Sequence, residues 1–220
     1  MPNEPFGFGN AIGFRRIAPR ANKSAISRMA LPVGSMVVWG TVAACAAAAS
    51  LFAAPDLSGV LGGGLALVMC AIAAIDARRF VIPNELVLAG LLLGLIAAAV
   101  DQSEPLMAAL LHAVVRAGAL ALTSLAFRTA YRLIRGREGI GLGDVKLAGV
   151  AGAWLSWLAV AVAVDIAALS ALAVVLIRAA RGQRVTSKTP VPFGLFFAPA
   201  IWIAWLFEAL ILHGQFPRFP

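Results

Sequence analysis

The sequence predicts an all-α, polytopic membrane helix bundle of about seven transmembrane helices, six being the next count, with a cytoplasmic N-terminus. Three observations predict this. The 220 residues are 61% hydrophobic and 13% charged, with a mean hydropathy of +0.92, too apolar for a water-soluble domain to cover. Apolar stretches near or above the roughly 18 residues needed to cross hydrocarbon recur along most of the chain. Lys and Arg gather in alternate gaps between these stretches while the intervening gaps carry Asp56, Asp101 and Glu104, a nearly complete segregation that leaves Arg116 inside a span.

Taken in order, residues 1–30 hold Arg15, Arg16, Arg20, Lys23 and Arg28 among glycines and prolines. They read as a basic, disordered cytoplasmic tail. A cleaved targeting segment fits less well, because the apolar stretch that follows is too long for a signal-peptide core. Residues 31–213 form the expected membrane domain, with spans at 31–54, 58–76, 84–101, 106–128, 145–157, 159–178 and 194–212, and 214–220 a short C-terminal tail. The fifth span is short, so 145–178 could instead be one long bent helix, which gives the count of six. Ala-rich stretches within the spans read as faces that let membrane helices approach closely.

Lys and Arg are retained on the cytoplasmic side during insertion. With the N-terminus inside, that side receives the tail, Arg78 and Arg79, then Arg128, Arg132, Arg135, Arg137 and Lys146, then Arg178, Arg181, Arg184 and Lys188. The outer loops receive Asp56, Asp101 and Glu104, with Arg218 the outer cation. The net charge of +8 is therefore a topology signal, and nucleic acid is not an expected partner. The bilayer is. Cys45 and Cys70 form no C-x-x-C pair and no His/Cys cluster has metal-ligand spacing, so neither a metal nor a cofactor is expected.

Carboxylates at a membrane edge are costly and need water, a partner or a function. Two stand out. Asp76 ends the second span in Ile75-Asp76-Ala77-Arg78-Arg79, shortly before Ile82-Pro83-Asn84, and Asp144 opens the fifth in Gly141-Leu142-Gly143-Asp144-Val145-Lys146. The charge pattern puts both at cytoplasmic helix ends, so packing can bring them face to face. Two neighbouring carboxylates cannot both ionise cheaply; they share a proton, and one can act as base on a water while the other protonates a carbonyl. Gly139, Gly141 and Gly143 permit tight backbone and close approach of an extended strand. The alternative is structural: Asp76 pairs with Arg78 or Arg79, Asp144 caps its helix, and Pro83-Asn84 is a helix break and cap.

Residues 76–84 resemble the first-aspartate region of type IV prepilin peptidases, especially the short forms serving tight-adherence (Flp-type) pili. Gly141-Leu142-Gly143-Asp144-Val145-Lys146-Leu147 is similar to that family's G-x-G-D-V-K-L signature, and Pro190-Val191-Pro192-Phe193-Gly194 resembles the turn before its final helix. The resemblance implies a membrane aspartic endopeptidase of the bacterial inner membrane. It would cleave the short basic leader from prepilins at the cytoplasmic face, without metal, with Asp76 and Asp144 as the catalytic pair. Within the matching segments, Gly141, Gly143, Lys146, Pro83, Asn84, Pro192, Phe193 and Gly194 are read as substrate-binding or site-shaping residues, a plain positive-inside anchor being the alternative for Lys146, and pilus-assembly proteins are expected as further partners. Long members carry an N-terminal methyltransferase region with paired C-x-x-C motifs; Cys45 and Cys70 do not match it, so N-methylation is not expected of this chain.

Two other functions compete with this one. A presenilin-like intramembrane protease also uses G-x-G-D but pairs tyrosine with its first aspartate, where this chain has Ile75. A small transporter would hold its acids near the bilayer midplane. Of the remaining polar residues, Arg116 and Asp165 are expected to pair between spans, His112 lies one turn from Arg116, and His213 is read as interfacial. The tryptophans suit interfacial belts or helix packing.

Overall fold

A computed structural model describes residues 33–101, 103–136, 139, 141–182 and 192–212. The chain divides into two compact units, 1–36 and 37–220. Of the first, only the opening turn of a helix is described. The basic tail of 1–30, and the expectations resting on Arg137, Arg184, Lys188, Pro190, His213 and Arg218, lie outside the described residues.

The described residues form seven helices: α1 (Val33–Ala53), α2 (Leu57–Arg79), α3 (Asn84–Val100), α4 (Leu106–Arg135), α5 (Leu142–Trp154), α6 (Trp157–Ala180) and α7 (Gly194–Leu212). Four of them, α2, α4, α6 and most of α7, are long and apolar enough to cross a membrane. This is a polytopic helical membrane protein. Large apolar side chains such as Phe52, Leu122, Phe127, Leu158 and Leu169 face outward, an arrangement that lipid tolerates and water does not.

Each boundary has a local cause. Asp56 caps α2, its Oδ1 accepting from the N–H groups of Ser58 and Gly59 at 2.9 and 3.4 Å. Phe80 closes α2 in the left-handed region (φ 53°), its N–H donating to Asp76 O. Such a φ is uncommon for a bulky residue. Pro83 then holds extended backbone at the entry to α3. Ser156 caps α6 by accepting from Ala159 N–H at 3.3 Å. The break at Leu155 and Ser156 separates α5 from α6, so seven helices form and the single bent helix does not.

α5 is displaced from its predicted span at both ends: it starts at Leu142 and ends at Trp154. Thirteen residues make about 20 Å of helix, short of the roughly 30 Å hydrocarbon core. The reason is burial by protein. Nine of the thirteen residues are buried, and α5 packs on α3, α4, α6 and α7, so it need not meet lipid along its length. Small residues permit this. A Cβ on Gly152 would stand 2.6 Å from Arg116 O and 2.7 Å from Ala117 N. Because those are backbone atoms, Gly152→Val is expected to cost about 1–3 kcal/mol by overpacking. Thermal unfolding in detergent should show a lowered midpoint, while Gly118→Ala, with nothing within 4 Å of its Cβ, should leave the midpoint in place.

Tryptophans lock the other helices to this centre. Trp154 donates from Nε1 to Gly90 O at 2.8 Å and meets Trp205 edge-on at 6.2 Å. Trp202 donates to Ser50 Oγ at 3.0 Å, tying α7 to α1.

The predicted Arg116–Asp165 pair does not form. Arg116 Nε donates to Gly152 O at 3.2 Å, because α4 packs against α5, and Asp165 is exposed on α6. His112 meets Glu104 instead, at 2.8 Å.

The helix directions sort the charges at the helix ends. Arg78, Arg79, Arg128, Arg132, Arg135, Lys146, Arg178 and Arg181 lie at one end of the bundle, and Asp56, Asp101 and Glu104 at the other.

Candidate active site

The end of α2, the starts of α3 and α5, and the turn into α7 converge at the basic end of the bundle. They enclose a cavity of about 620 Å³ lined by Asp76, Asp144, Gly139, Gly141, Gly143, Lys146, Pro83, Asn84, Pro192 and Phe193, together with Phe80, Val81, Ile82, Glu85 and Leu142. Helix α2 contributes Asp76 from its last turn. Helix α5 contributes Asp144 from its first.

Asp76 is 5% exposed, and its Oδ2 accepts the Leu195 N–H at 2.9 Å. A helix start carries unpaired N–H groups and positive potential, so the first turn of α7 offsets part of the cost of burying this charge. Gly194 makes the approach possible: a Cβ there would lie 2.8 Å from Asp76 Oδ2 and 2.9 Å from Ile82 Cδ1. Phe193 stacks on Phe197 one turn along, with centroids 5.5 Å apart, which steadies that turn.

Asp144 is the third residue of its helix, and its Oδ2 accepts the N–H of the cap residue Gly141 at 3.2 Å. The capping expected of Asp144 is therefore present, and it leaves the carboxyl facing the cavity. Burial pushes its pKa up to about 6, the Asp76 charge adds to the rise and the Gly141 N–H opposes it. A Cβ on Gly143 would meet Ile82 at 3.1 Å. Ile82 thus packs against both Gly143 and Gly194 and sits between the two acids' loops.

Asn84 does not cap α3. It is that helix's first residue, and its Oδ1 accepts from Lys146 Nζ at 2.6 Å. This bond joins the starts of α3 and α5. Every site residue expected from the sequence lines this cavity except Gly194, which touches it through Asp76. Phe80, Val81, Glu85 and Leu142 join them without having been expected. They lie within a few positions of the motif residues, but nothing in their type marks them. Among the described residues, no group of three or more His, Cys, Asp or Glu could hold a metal ion.

The described arrangement suits water activation: two aspartates in one cavity, each held by a backbone N–H, one of them with its pKa pushed up to about 6.

Comparison with known proteins gives the same direction. Residues 63–177 match the sequence model of the type IV leader peptidase family. The chain is 36% identical over 170 residues to a prepilin leader peptidase/N-methyltransferase of Burkholderia pseudomallei, covering 76% of this chain and 53% of that protein. It is 36% identical over 154 residues to one from Stutzerimonas stutzeri, covering 68% and 51%, and 37% identical over 140 residues to one from Pseudomonas aeruginosa, covering 63% and 46%. The chain thus spans about half the length of the curated relatives it matches. No solved structure matches it. Neither a presenilin-like protease nor a transporter is supported by these matches. With more than half its length under the family's sequence model and both aspartates of the cavity inside that span, this chain belongs to the type IV leader peptidase family.

Proposed function

We propose that the chain is an aspartic endopeptidase of the bacterial inner membrane that removes the leader from type IV, Flp-like prepilins at the cytoplasmic face. The observation that carries this is the meeting of Asp76 and Asp144 in one cavity at the basic end of the bundle, the end that positive-inside topology assigns to the cytoplasm. Residues 31–213 form the membrane peptidase domain in this reading, flanked by the basic tail and the short C-terminal segment. Pilus-assembly proteins are its further partners. The relatives' names also include N-methyl transfer, but Cys45 and Cys70 lack the spacing of a zinc site, and we assign only the peptidase step.

The reaction is hydrolysis of one peptide bond. Asp76, held by Leu195 N–H, accepts a proton from a water whose oxygen attacks the scissile carbonyl carbon. Asp144 gives its proton to the carbonyl oxygen. The C–N bond then breaks as the proton taken by Asp76 passes to the leaving nitrogen, and the second proton returns to Asp144 as the carboxyl product forms. Gly141 and Gly143 allow the extended substrate close approach, and Lys146 with Asn84 fixes the spacing of the two loops.

A pH dependence follows. Asp144 keeps its proton below about 6 in the empty enzyme, so raising the pH through that value removes the general acid and lowers the rate. A bound peptide excludes water and moves this limb upward. The cleavage rate should therefore fall on the alkaline side, with a midpoint at or above about 6. A rate still climbing through pH values well above neutrality would remove Asp144 as the acid.

The test of the reading is a membrane preparation of the full chain with a small pilin-like precursor. The expected result is a mass loss at a single leader junction, unaffected by EDTA. A precursor left whole by well-expressed, inserted protein overturns it.

A further inference from the structure

Three carboxylates line the cavity, Asp76, Glu85 and Asp144, against one ammonium, Lys146. Even with Asp144 protonated, as the proposed mechanism has it, Asp76 and Glu85 outnumber Lys146, so the cavity is net negative while the helix ends around it carry Arg78, Arg79, Arg128, Arg132 and Arg135. Such a concavity concentrates cations. The four groups are not equivalent. Asp76 accepts from Leu195 N–H, Asp144 accepts from Gly141 N–H, and Lys146 donates to Asn84. Glu85 has no hydrogen-bond or ion-pair partner among the described residues. It stands exposed in the first turn of α3. It is also the residue next to Asn84, so the Lys146–Asn84 bond fixes the start of the helix that carries it.

We propose that Glu85 is a specificity-determining residue that takes a lysine or arginine side chain of the substrate's leader while the scissile bond lies between Asp76 and Asp144. The inference rests on the peptidase reading. Its chemistry is a charge pair at the cavity rim, open to solvent, which sets its size: about fivefold in affinity, the upper end for an exposed pair, and weaker as salt is raised. Glu85 touches neither the reacting carbonyl nor the water, so it acts on binding and leaves the chemical step alone.

The test uses the full chain carrying Asp144→Asn, so that peptide stays whole, and two fluorescent peptides. One has lysines and arginines ahead of a glycine; the other has those residues changed to glutamine. The basic peptide should bind about fivefold more tightly. Adding Glu85→Gln should make the two peptides bind alike, and Glu85→Lys should favour the glutamine copy. A preference that survives Glu85→Gln unchanged, or its absence with Glu85 in place, overturns the inference. Cleavage is read separately with Asp144 restored. In that arm Glu85→Gln should raise KM for the basic precursor about fivefold with kcat unchanged. Loss of the binding preference on Glu85→Gln without any cleavage by the native chain sinks the peptidase reading and leaves the Glu85 contact standing. Cleavage with an unaltered preference sinks Glu85 alone.

Discussion

Asp76→Asn and Asp144→Asn are each expected to lower leader cleavage by about a thousandfold, within the range a positioned acid or base supplies, while the protein stays inserted. An amide has nearly the size and shape of a carboxyl, so packing around Ile82 and the first turn of α7 should persist. The proton chemistry should not. In Asp76→Asn the new amide could still accept from Leu195 N–H through its carbonyl oxygen, yet it cannot take a proton from water. In Asp144→Asn the amide could still cap α5, yet it has no acidic proton to give. The two losses should not add in the double mutant, since each alone stops the same proton cycle. The measurement is leader removal by quantitative mass spectrometry at matched expression, with Gly118→Ala as the inert control. Cleavage by either mutant within about tenfold of native, a small part of what such a group supplies, would take that residue out of the catalytic pair.

Gly194→Ala is the second large effect. The new Cβ would stand 2.8 Å from Asp76 Oδ2, 3.0 Å from its Cγ and 2.9 Å from Ile82 Cδ1. All are closer than an ordinary contact. Neither Asp76 nor Ile82 is free to give way, since Asp76 is held by Leu195 N–H and Ile82 is packed against the Gly143 side as well. The carboxylate must shift or α7 must retreat, and a displacement of about 1 Å at a reacting group can cost about a hundredfold in rate. A fall of about that size in kcat, with little change in KM, is the expected outcome. The unfolding midpoint should drop less than for Gly152→Val, because the clash is with side chains at the open end of the bundle. A Gly194→Ala enzyme with native kcat would show that the close approach of α7 to Asp76 is incidental.

Much of the fold was legible because lipid imposes a simple rule on composition. A helix crossing hydrocarbon must be apolar along its length, and that signal located α2, α4, α6 and α7 to within a few residues, except that α4 runs two turns beyond its predicted end, to Arg135. The same rule failed at α5. Its outer surface is protein, so its length answers to packing against α3, α4, α6 and α7, which no stretch of sequence displays. It failed again at Arg116, whose partner was sought among opposite charges. A backbone carbonyl, Gly152 O, is invisible in a residue pattern.

Hydropathy, the sign of charge between spans and two short motifs are enough to establish that the chain lives in a membrane, which end of the bundle is basic, and that Asp76 and Asp144 stand at that end. These are one-dimensional facts. What surrounds each acid is a matter of three dimensions. Asp76 meets Leu195 and Gly194, more than a hundred positions away, and Asn84 meets Lys146 across 62 positions. Phe80 and Glu85 enter the cavity through the direction that the left-handed turn at Phe80 and the extended Pro83 give the chain. Contacts between distant segments depend on how helices cross, and the helix faces that meet here are small or uniformly apolar, so they carry almost no pattern from which the crossing could be read.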